Sequence, residues 1–363
     1  MTIRTAVLRL LPIWAVLFAL LLGMFFVLLT GAHPIEAYRD LLRGALADVF
    51  GFATTLVKTT PLLFAGLGVA VALRAGLINI GAEGQIYLGG LAAALVGLYV
   101  QGLPPLLHVP LAMLAAFVAG GAWALLPALL RLRRGVSEVI TTLLMNYIGL
   151  YFVGALVSGP LKEPGAPYPY SAVLARSAYL PTIIPTTDAH AGILIALVLA
   201  VVTYVVLEHT PAGFQVRMVG ANPSAAAYAG VNVGQTIIIA MVVSGGLAGL
   251  GGASEVMGLK HRLFDAFSPG YGYDAIVVAF LASGQPLGVA VTALFFGALR
   301  SGANIMQRSQ GVPVAVIFAI QGLAVLFLAA SLAVRHRIFR WGGRSRQPAA
   351  ASPAQAAGVT DPE

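Results

Sequence analysis

HAGILIALVLAVVTYVVL, the sequence of residues 190–207, contains no Asp, Glu, Lys or Arg and is apolar almost throughout. An α-helix rises about 1.5 Å per residue, so about 20 such residues cross the roughly 30 Å hydrocarbon core of a bilayer. The stretch therefore predicts a transmembrane helix. Nine further predominantly apolar stretches lie at residues 11–30, 56–73, 84–101, 107–130, 138–158, 236–253, 270–283, 286–300 and 313–334.

The composition agrees with a chain whose outer surface faces lipid. Hydrophobic residues make up 59% of the 363 residues and charged residues 9%, whereas about a quarter of a soluble chain is charged. The net charge of +8 comes from basic residues scattered between apolar stretches, a pattern that argues against a nucleic-acid partner. The absence of cysteine excludes disulfides, and the six histidines form no H-x-x-x-H pair for a metal.

We therefore predict an all-α membrane protein with about ten transmembrane helices. Residues 1–340 form one transmembrane domain, and residues 341–363, rich in Gly, Arg, Ser, Pro and Ala, form a disordered cytoplasmic tail. The first apolar stretch follows Arg4 and Arg9 but lacks an A-x-A cleavage site, so it is interpreted as a retained helix.

Arginine clusters indicate the orientation. Arg131 to Arg134 and the five arginines after Ala333 both belong on the cytoplasmic side, which requires an even number of crossings between them. Ten spans with both termini inside satisfy this. Nine spans, with residues 273–300 as one helix kinked at Pro286, do not.

The long inside segment at residues 208–235 predicts a cytoplasmic coupling loop. Thr210, Pro211 and Gly213 predict a turn, and Ser224 as N-cap with Gly230 as C-terminal stop predict a short helix between them. An alanine-rich capped helix suits docking into a groove on another protein, although an ordinary connecting loop explains the same pattern.

Residues 74–85, RAGLINIGAEGQ, combine helix-breaking glycines with polar groups near or within the bilayer. Glu83 facing lipid costs about 2.5–3.5 kcal/mol, so it is expected to face a cavity or a partner. The predicted pathway-lining residues also include Asn146 and Asp274, with Tyr147 beside them; interhelical hydrogen bonds explain the same residue types. The full predicted pathway set is Asn79, Glu83, Gln85, Asn146 and Asp274.

Two further features concern the arrangement of the helices. SGGLAGLGG, residues 244–252, predicts close packing through small residues four apart, such as Gly245 and Gly249. If the chain is two five-helix halves, the second and third spans correspond to the seventh and eighth as an inverted repeat. Outside the membrane, the proline-rich residues 159–189 form a stiff segment that either receives a binding protein or has no special role.

The chain resembles the permease subunits of bacterial ABC importers of the simple-sugar, ribose-type class, within it the nucleoside branch paired with a basic-membrane-protein-type lipoprotein. The resemblance covers roughly residues 50–330. It is carried by PLLFAGLG at 61–68, GLINIGAEGQ at 76–85, GANPSAAAYAG at 220–230, YDAIVVAF at 273–280, PLG at 286–288, GANIMQ at 302–307, GVP at 311–313 and IQG at 320–322. Sugar permeases tend to carry an Asp-Leu-Ser-Val-Gly sequence at residues 79–83, and this departure favours nucleosides.

The resemblance implies a multi-pass protein of the bacterial inner membrane that imports nucleosides or a simple sugar by alternating access. Its partners would be ATP-binding cassette ATPase subunits, a second, different permease and an extracytoplasmic substrate-binding lipoprotein. The chain has no G-x-x-x-x-G-K-[ST] loop, so it is not expected to be an enzyme, and ATP and Mg would bind the partner ATPase. The residues expected to couple to that ATPase are Gly213, Gly220, Asn222, Ala226, Ala227 and Gly230.

Two rival interpretations remain open from the sequence. A secondary transporter driven by an ion gradient would use Glu83 as a proton-carrying group. A structural or enzymatic membrane subunit would have no transport role.

Overall fold

The computed structural model describes residues 17–327, except 19, 314, 317, 321, 324 and 325. This part of the chain is helical and has no strand beyond two isolated bridges. Part of the predicted first span, more than half of the predicted tenth span and the whole tail lie outside the described residues. The helices are α1 Leu20–Leu29, α2 Pro34–Leu46, α3 Val49–Arg74, α4 Ala82–Tyr99, α5 Pro105–Arg134, α6 Glu138–Ser158, α7 Gly192–His209, α8 Pro211–Ala221, α9 Pro223–Tyr228, α10 Val233–Glu255, α11 Tyr271–Leu281 and α12 Pro286–Gln310.

The described residues divide into a large unit, within residues 27–317, and a small unit, within residues 17–26 and 318–327. In the small unit the rings of Phe18 and Phe327 pack edge to face with centroids 4.8 Å apart. The features that follow belong to the large unit.

Six helices in the described part are long and apolar enough to cross a membrane, or up to seven if the bent pair α1 and α2 forms one span. The protein is therefore a multi-pass membrane protein. The six are α3, α5, α6, α7, α12 and α10 with its extension by one π-helical turn to Lys260. The count of ten stays a prediction.

α10 lies at the centre of the large unit and packs against α3, α4 and α5. A methyl group on Gly245 would collide with the backbone of Gly120, and one on Gly249 with the carbonyl of Ala116. The predicted packing role of these small residues is confirmed, because only glycine lets the backbones approach this closely.

The predicted eighth span is different in the structure. α11 has 11 residues, about 16 Å at 1.5 Å per residue, so this helix crosses only about half of a bilayer core. A single kinked helix over residues 273–300 is also wrong, because Ser283 and Gly284 have φ of 53° and 67° and end α11 before α12 begins.

A non-helical segment, residues 261–270, lies against the proline-rich segment and leads into α11. Leu263 N–H donates to Ser171 Oγ at 3.0 Å, and Asp265 N–H donates to the Pro169 carbonyl at 3.1 Å. α11 ends at Leu281, and Gly284 just after it packs against the Arg74 side chain at the far end of α3. The segment and α11 together therefore extend along the length of the neighbouring spans, and we call residues 261–281 the broken span.

The sequence prediction missed α2. Pro34 occupies the first turn, where its missing N–H costs nothing, and Ala37, Leu41 and Ala45 form the buried face. Gly302 of α12 packs directly on the Leu41 backbone. Four charged residues on the 13-residue helix hid it from a search for long apolar stretches.

The predicted turn at Thr210–Gly213 is wrong, because these residues begin α8. Thr210 Oγ1 accepts from Gly213 N–H at 3.2 Å as an N-cap, and Pro211 occupies the first turn. Ser224 is not the N-cap of the next helix. Asn222 has that role, since its Oδ1 accepts from Ser224 N–H at 3.0 Å and from Ala225 N–H at 3.1 Å.

Candidate translocation and coupling sites

A network of buried side-chain hydrogen bonds stabilises the non-helical connection between α3 and α4. Asn79 Nδ2 donates to Gln85 Oε1 at 3.0 Å and to Ser244 Oγ on α10 at 2.9 Å. Asn79 Oδ1 accepts from Gly81 N–H at 2.9 Å. Both amide side chains are buried, so these bonds replace the backbone pairing that a continuous helix would have provided.

Asn146 of α6 fixes the same break from the other side. Its Nδ2 donates to the Ile80 carbonyl and its Oδ1 accepts from Gly84 N–H, both at 2.8 Å. The chain at Gly84 lies so close to α6 that a methyl group there would meet the Met145 carbonyl at 2.9 Å. Asn146 therefore acts as a clamp on the first turn of α4.

Glu83 joins the two broken elements. Its Oε2 accepts from Gly272 N–H at 2.6 Å, and Ser268 and the Gly270 backbone also bond to its carboxylate. A carboxylate at a helix N-terminus satisfies unpaired N–H groups and complements the helix dipole. Glu83 of α4 thus caps α11, so that the starts of both short helices meet at one point.

Asp274, the fifth predicted pathway residue, is paired with a cation. Arg300 of α12 donates to its Oδ2 from Nε at 2.8 Å, and a second guanidinium nitrogen lies 2.7 Å from the same oxygen. Arg300 also lies over the Tyr271 ring, 4.9 Å from its centroid. The structure therefore brings Asn79, Glu83, Gln85 and Asn146 into one cluster and places Asp274 one turn further along α11.

Sequence reasoning missed a second group of charges beside this cluster. Lys58 Nζ of α3 lies 3.1 Å from the Tyr271 hydroxyl, which also hydrogen-bonds to Glu255 at the end of α10. Lys58 could have been identified from the sequence, because a lysine within an otherwise apolar span needs a partner in the membrane. With Arg300 and Asp274 these groups connect α3, α10, α11 and α12 around one buried tyrosine.

The predicted coupling residues occupy a different end of the molecule. A methyl group on Gly220 of α8 would collide with the Arg74 carbonyl, and one on Gly76 would meet the Gly220 Cα at 3.0 Å. Gly76 has φ of 74°, which glycine adopts without strain. Glu208 forms ion pairs with both Arg74 and Arg217, so α8 is fixed to the α3–α4 connection by backbone contact and by charge.

The remaining predicted coupling residues lie in α8 and in or beside α9. Gly213 packs without space for a side chain on the end of α7, and Asn222 caps α9. Within α9, Ala226 is buried whereas Ala227 is exposed, and Tyr228 is 97% exposed. Gly230 ends the element with φ of 83°. α9 therefore presents an apolar, uncharged surface away from the rest of the chain.

Several apolar helices, two of them broken where polar side chains meet, are the architecture of a membrane transport subunit. The chain belongs to the family described as branched-chain amino acid transport system / permease component, which matches residues 51–330.

Similar proteins are also ABC transporter permeases. The chain is 38% identical to the glucose ABC transporter permease protein TsgB13 of Haloferax volcanii, covering 88% of this chain and 87% of that protein. It is 36% identical to the guanosine permease NupP of Bacillus subtilis (90% and 94%) and 31% identical to the nucleoside permease NupB of Lactococcus lactis (88% and 90%). This chain is the permease subunit of an ABC importer in the plasma membrane.

Proposed function

We propose that the chain carries nucleosides into the cytoplasm by alternating access, driven by ATP hydrolysis in a partner subunit. Two of the similar proteins are named for guanosine or nucleosides and one for glucose. The departure from the sugar-type sequence at residues 79–83 favours a nucleoside.

The contact between Gly220 and Gly76 is the observation that carries this proposal. Through it, a displacement of α8 and α9 acts on the connection that ends at Asn79 and Glu83. Glu83 in turn holds the start of α11. A force on the exposed face of α9 is therefore transmitted over contiguous contacts to both broken elements, as a two-state pathway requires.

The proposed assembly contains this chain, a second and different permease, ATP-binding cassette subunits docked on α9 and an extracytoplasmic substrate-binding lipoprotein. ATP and Mg bind the ATPase, and this chain has no cofactor and no catalytic role of its own. Ten spans with both termini in the cytoplasm, and an inverted repeat of five-helix halves, complete the proposal. The repeat is supported by the way α4 and α11, both preceded by non-helical segments, begin at one point.

Uptake by vesicles tests the energy source. Vesicles containing the whole assembly, supplied with ATP and with the proton gradient collapsed, are expected to accumulate labelled guanosine. Uptake that needs no ATP and follows the proton gradient would overturn the proposal in favour of a secondary transporter, with Glu83 as the proton-carrying group.

Docking on α9 has its own test with a matched control. Tyr228→Asp places a charge on the exposed face of α9 and is expected to abolish co-purification of the ATPase. Tyr168→Asp changes a residue that is 71% exposed in the proline-rich segment, at the opposite end of α7, and is expected to leave co-purification unchanged. Equal ATPase recovery with both variants would contradict docking at α9.

A further inference from the structure

Two tyrosines lie near each other beside the point where the broken elements meet. Tyr147 is the tenth of the 21 residues of α6, and Tyr273 is the third residue of α11. The Tyr273 side chain is hydrogen-bonded to Asn146 and lies within electrostatic range of Glu83 and Tyr147. Half of Tyr147 and 39% of Tyr273 are exposed, so both rings border an open surface.

The depth of Tyr147 argues that this surface does not face lipid. Tyr147 lies about 14 Å from the start of α6 and about 16 Å from its end, near the centre of a bilayer core. A tyrosine hydroxyl there has no headgroup or water to bond with on a lipid-facing surface, whereas tyrosines are favoured where the polar tip is wet. The neighbouring exposed residues Leu144 and Ile148 are apolar and suit lipid.

The residues around the two tyrosine rings are held in place by hydrogen bonds and by packing. Asn146 uses both ends of its amide on the α4 backbone, and Glu83 is bonded to α11. Behind them Tyr87 is buried, with its ring centroid 4.8 Å from that of Phe267. Ala266 has φ of 48°, a strained value for a residue with a side chain, of the kind found at ligand-binding sites.

We propose that Tyr147 and Tyr273 form a contact site for the planar base of a transported nucleoside. This inference rests on the proposed function and names the part of the cargo that the pathway recognises. Aromatic side chains stack on any base, and stacking alone binds the base weakly enough for rapid release.

The hydrogen-bonding capacity of the site favours a base over a sugar. The amide of Asn146, the carboxylate of Glu83 and the Tyr273 hydroxyl already have partners, so the open polar group is chiefly the Tyr147 hydroxyl. A hexose with many hydroxyl groups would leave most of them unpaired here, and unpaired polar groups lose affinity. A base buries a flat face and needs few partners.

The experiment uses the whole assembly in proteoliposomes, with labelled guanosine and labelled glucose as probes. Tyr147→Leu and Tyr273→Leu are each expected to slow guanosine uptake about tenfold, because one stacking surface is lost, while lipoprotein-stimulated ATP hydrolysis persists. Tyr147→Trp keeps a ring and is expected to retain uptake. Tyr151→Leu is the control: Tyr151 is 70% exposed one turn further along α6, about 10 Å from the helix end.

Each outcome decides the matter. Wild-type guanosine uptake in both Leu variants, or equal losses in Tyr147→Leu, Tyr147→Trp and Tyr151→Leu, would overturn the site while ATP-driven import stands. If the Leu variants fail to assemble, fluorescence of the Tyr147→Trp variant decides, because guanosine and not glucose is expected to quench it. A wild-type assembly that imports glucose but not guanosine would overturn the inference and leave ATP-driven import intact.

Discussion

His190 is enclosed by two glycines on the outer side of the large unit. Its Nδ1 accepts from Gly192 N–H at 3.2 Å, and a methyl group on Gly258 would meet the ring at 2.5 Å. Burial, with a smaller contribution from His261, lowers the pKa of His190 to about 4. The folded protein therefore holds this ring neutral.

The stability of the protein is expected to fall as the pH drops below 6.5. Between about pH 6.5 and 4, the unfolded state binds a proton at His190 that the folded state does not, so the free energy of unfolding falls by up to about 1.4 kcal/mol per pH unit. His190→Asn keeps an acceptor and removes the titration. Thermal midpoints in detergent, measured from pH 7 to pH 5, are expected to fall more steeply for the wild type, and parallel curves would contradict this assignment.

Sequence patterns located the polar residues of the candidate translocation site but not what each one does. Asn79, Gln85 and Asn146 stood out because amides are rare in apolar spans, and the structure shows that each bonds across the α3–α4 break. Their role in lining the pathway stays a prediction. Lys58 carried a local signal, a charge within an apolar span, but its partners Glu255 and Tyr271 lie on other helices and could not be identified from the sequence.

α11 depends on its neighbours, because a helix of 11 residues is too short to be stable alone. Glu83 caps its start and the Asp274–Arg300 pair ties its first turn to α12. The φ values of His261, Ala266 and Ser283, all between 48° and 53°, place strained backbone before and after it.

Arg300→Met is expected to destabilise the assembly by about 3 kcal/mol. The variant leaves a largely buried carboxylate on Asp274 without its cation, and such uncompensated charges are costly. Adding Asp274→Asn to Arg300→Met removes the orphaned charge and is expected to restore most of the loss. Thermal unfolding of the three forms in detergent measures the difference.

The half-buried pair Glu163–Arg262, with atoms 2.8 Å apart, is more accessible to solvent than Arg300–Asp274 and is the matched control. Its removal by Glu163→Gln is expected to cost less than about 1 kcal/mol, because solvent partly screens this ion pair. A loss in Arg300→Met no larger than that of Glu163→Gln, or no recovery in the double variant, would show that α11 does not depend on this pair.

The accuracy of the sequence predictions differed between elements for a physical reason. Long apolar helices such as α7 were predictable because lipid selects composition over a full span. α2 and α8 carry polar faces, and their helical state follows from proline in the first turn and from packing on α12 and α7. The predicted eighth span, residues 270–283, nearly coincides with α11, but a helix of 11 residues is too short to cross the bilayer alone.

For the whole molecule, the parity argument depends on the broken span. If residues 261–281 cross the membrane, six crossings separate Arg134 from the arginines after Ala333, and both clusters lie inside. If α11 returns to the side from which the segment entered, the number becomes odd and one cluster lies outside. The packing of Gly284 on Arg74 favours a full crossing.

Single-cysteine labelling measures this directly, because the chain contains no cysteine of its own. Tyr168→Cys, Tyr228→Cys and Gln285→Cys change exposed residues in the proline-rich segment, in α9 and between α11 and α12. A membrane-impermeant maleimide is expected to label Tyr168→Cys in whole cells. It is expected to label Tyr228→Cys and Gln285→Cys only in inverted vesicles, because α10 and the broken span return the chain to the cytoplasmic side. Labelling of Gln285→Cys in whole cells would contradict the full crossing and the ten-span count with it.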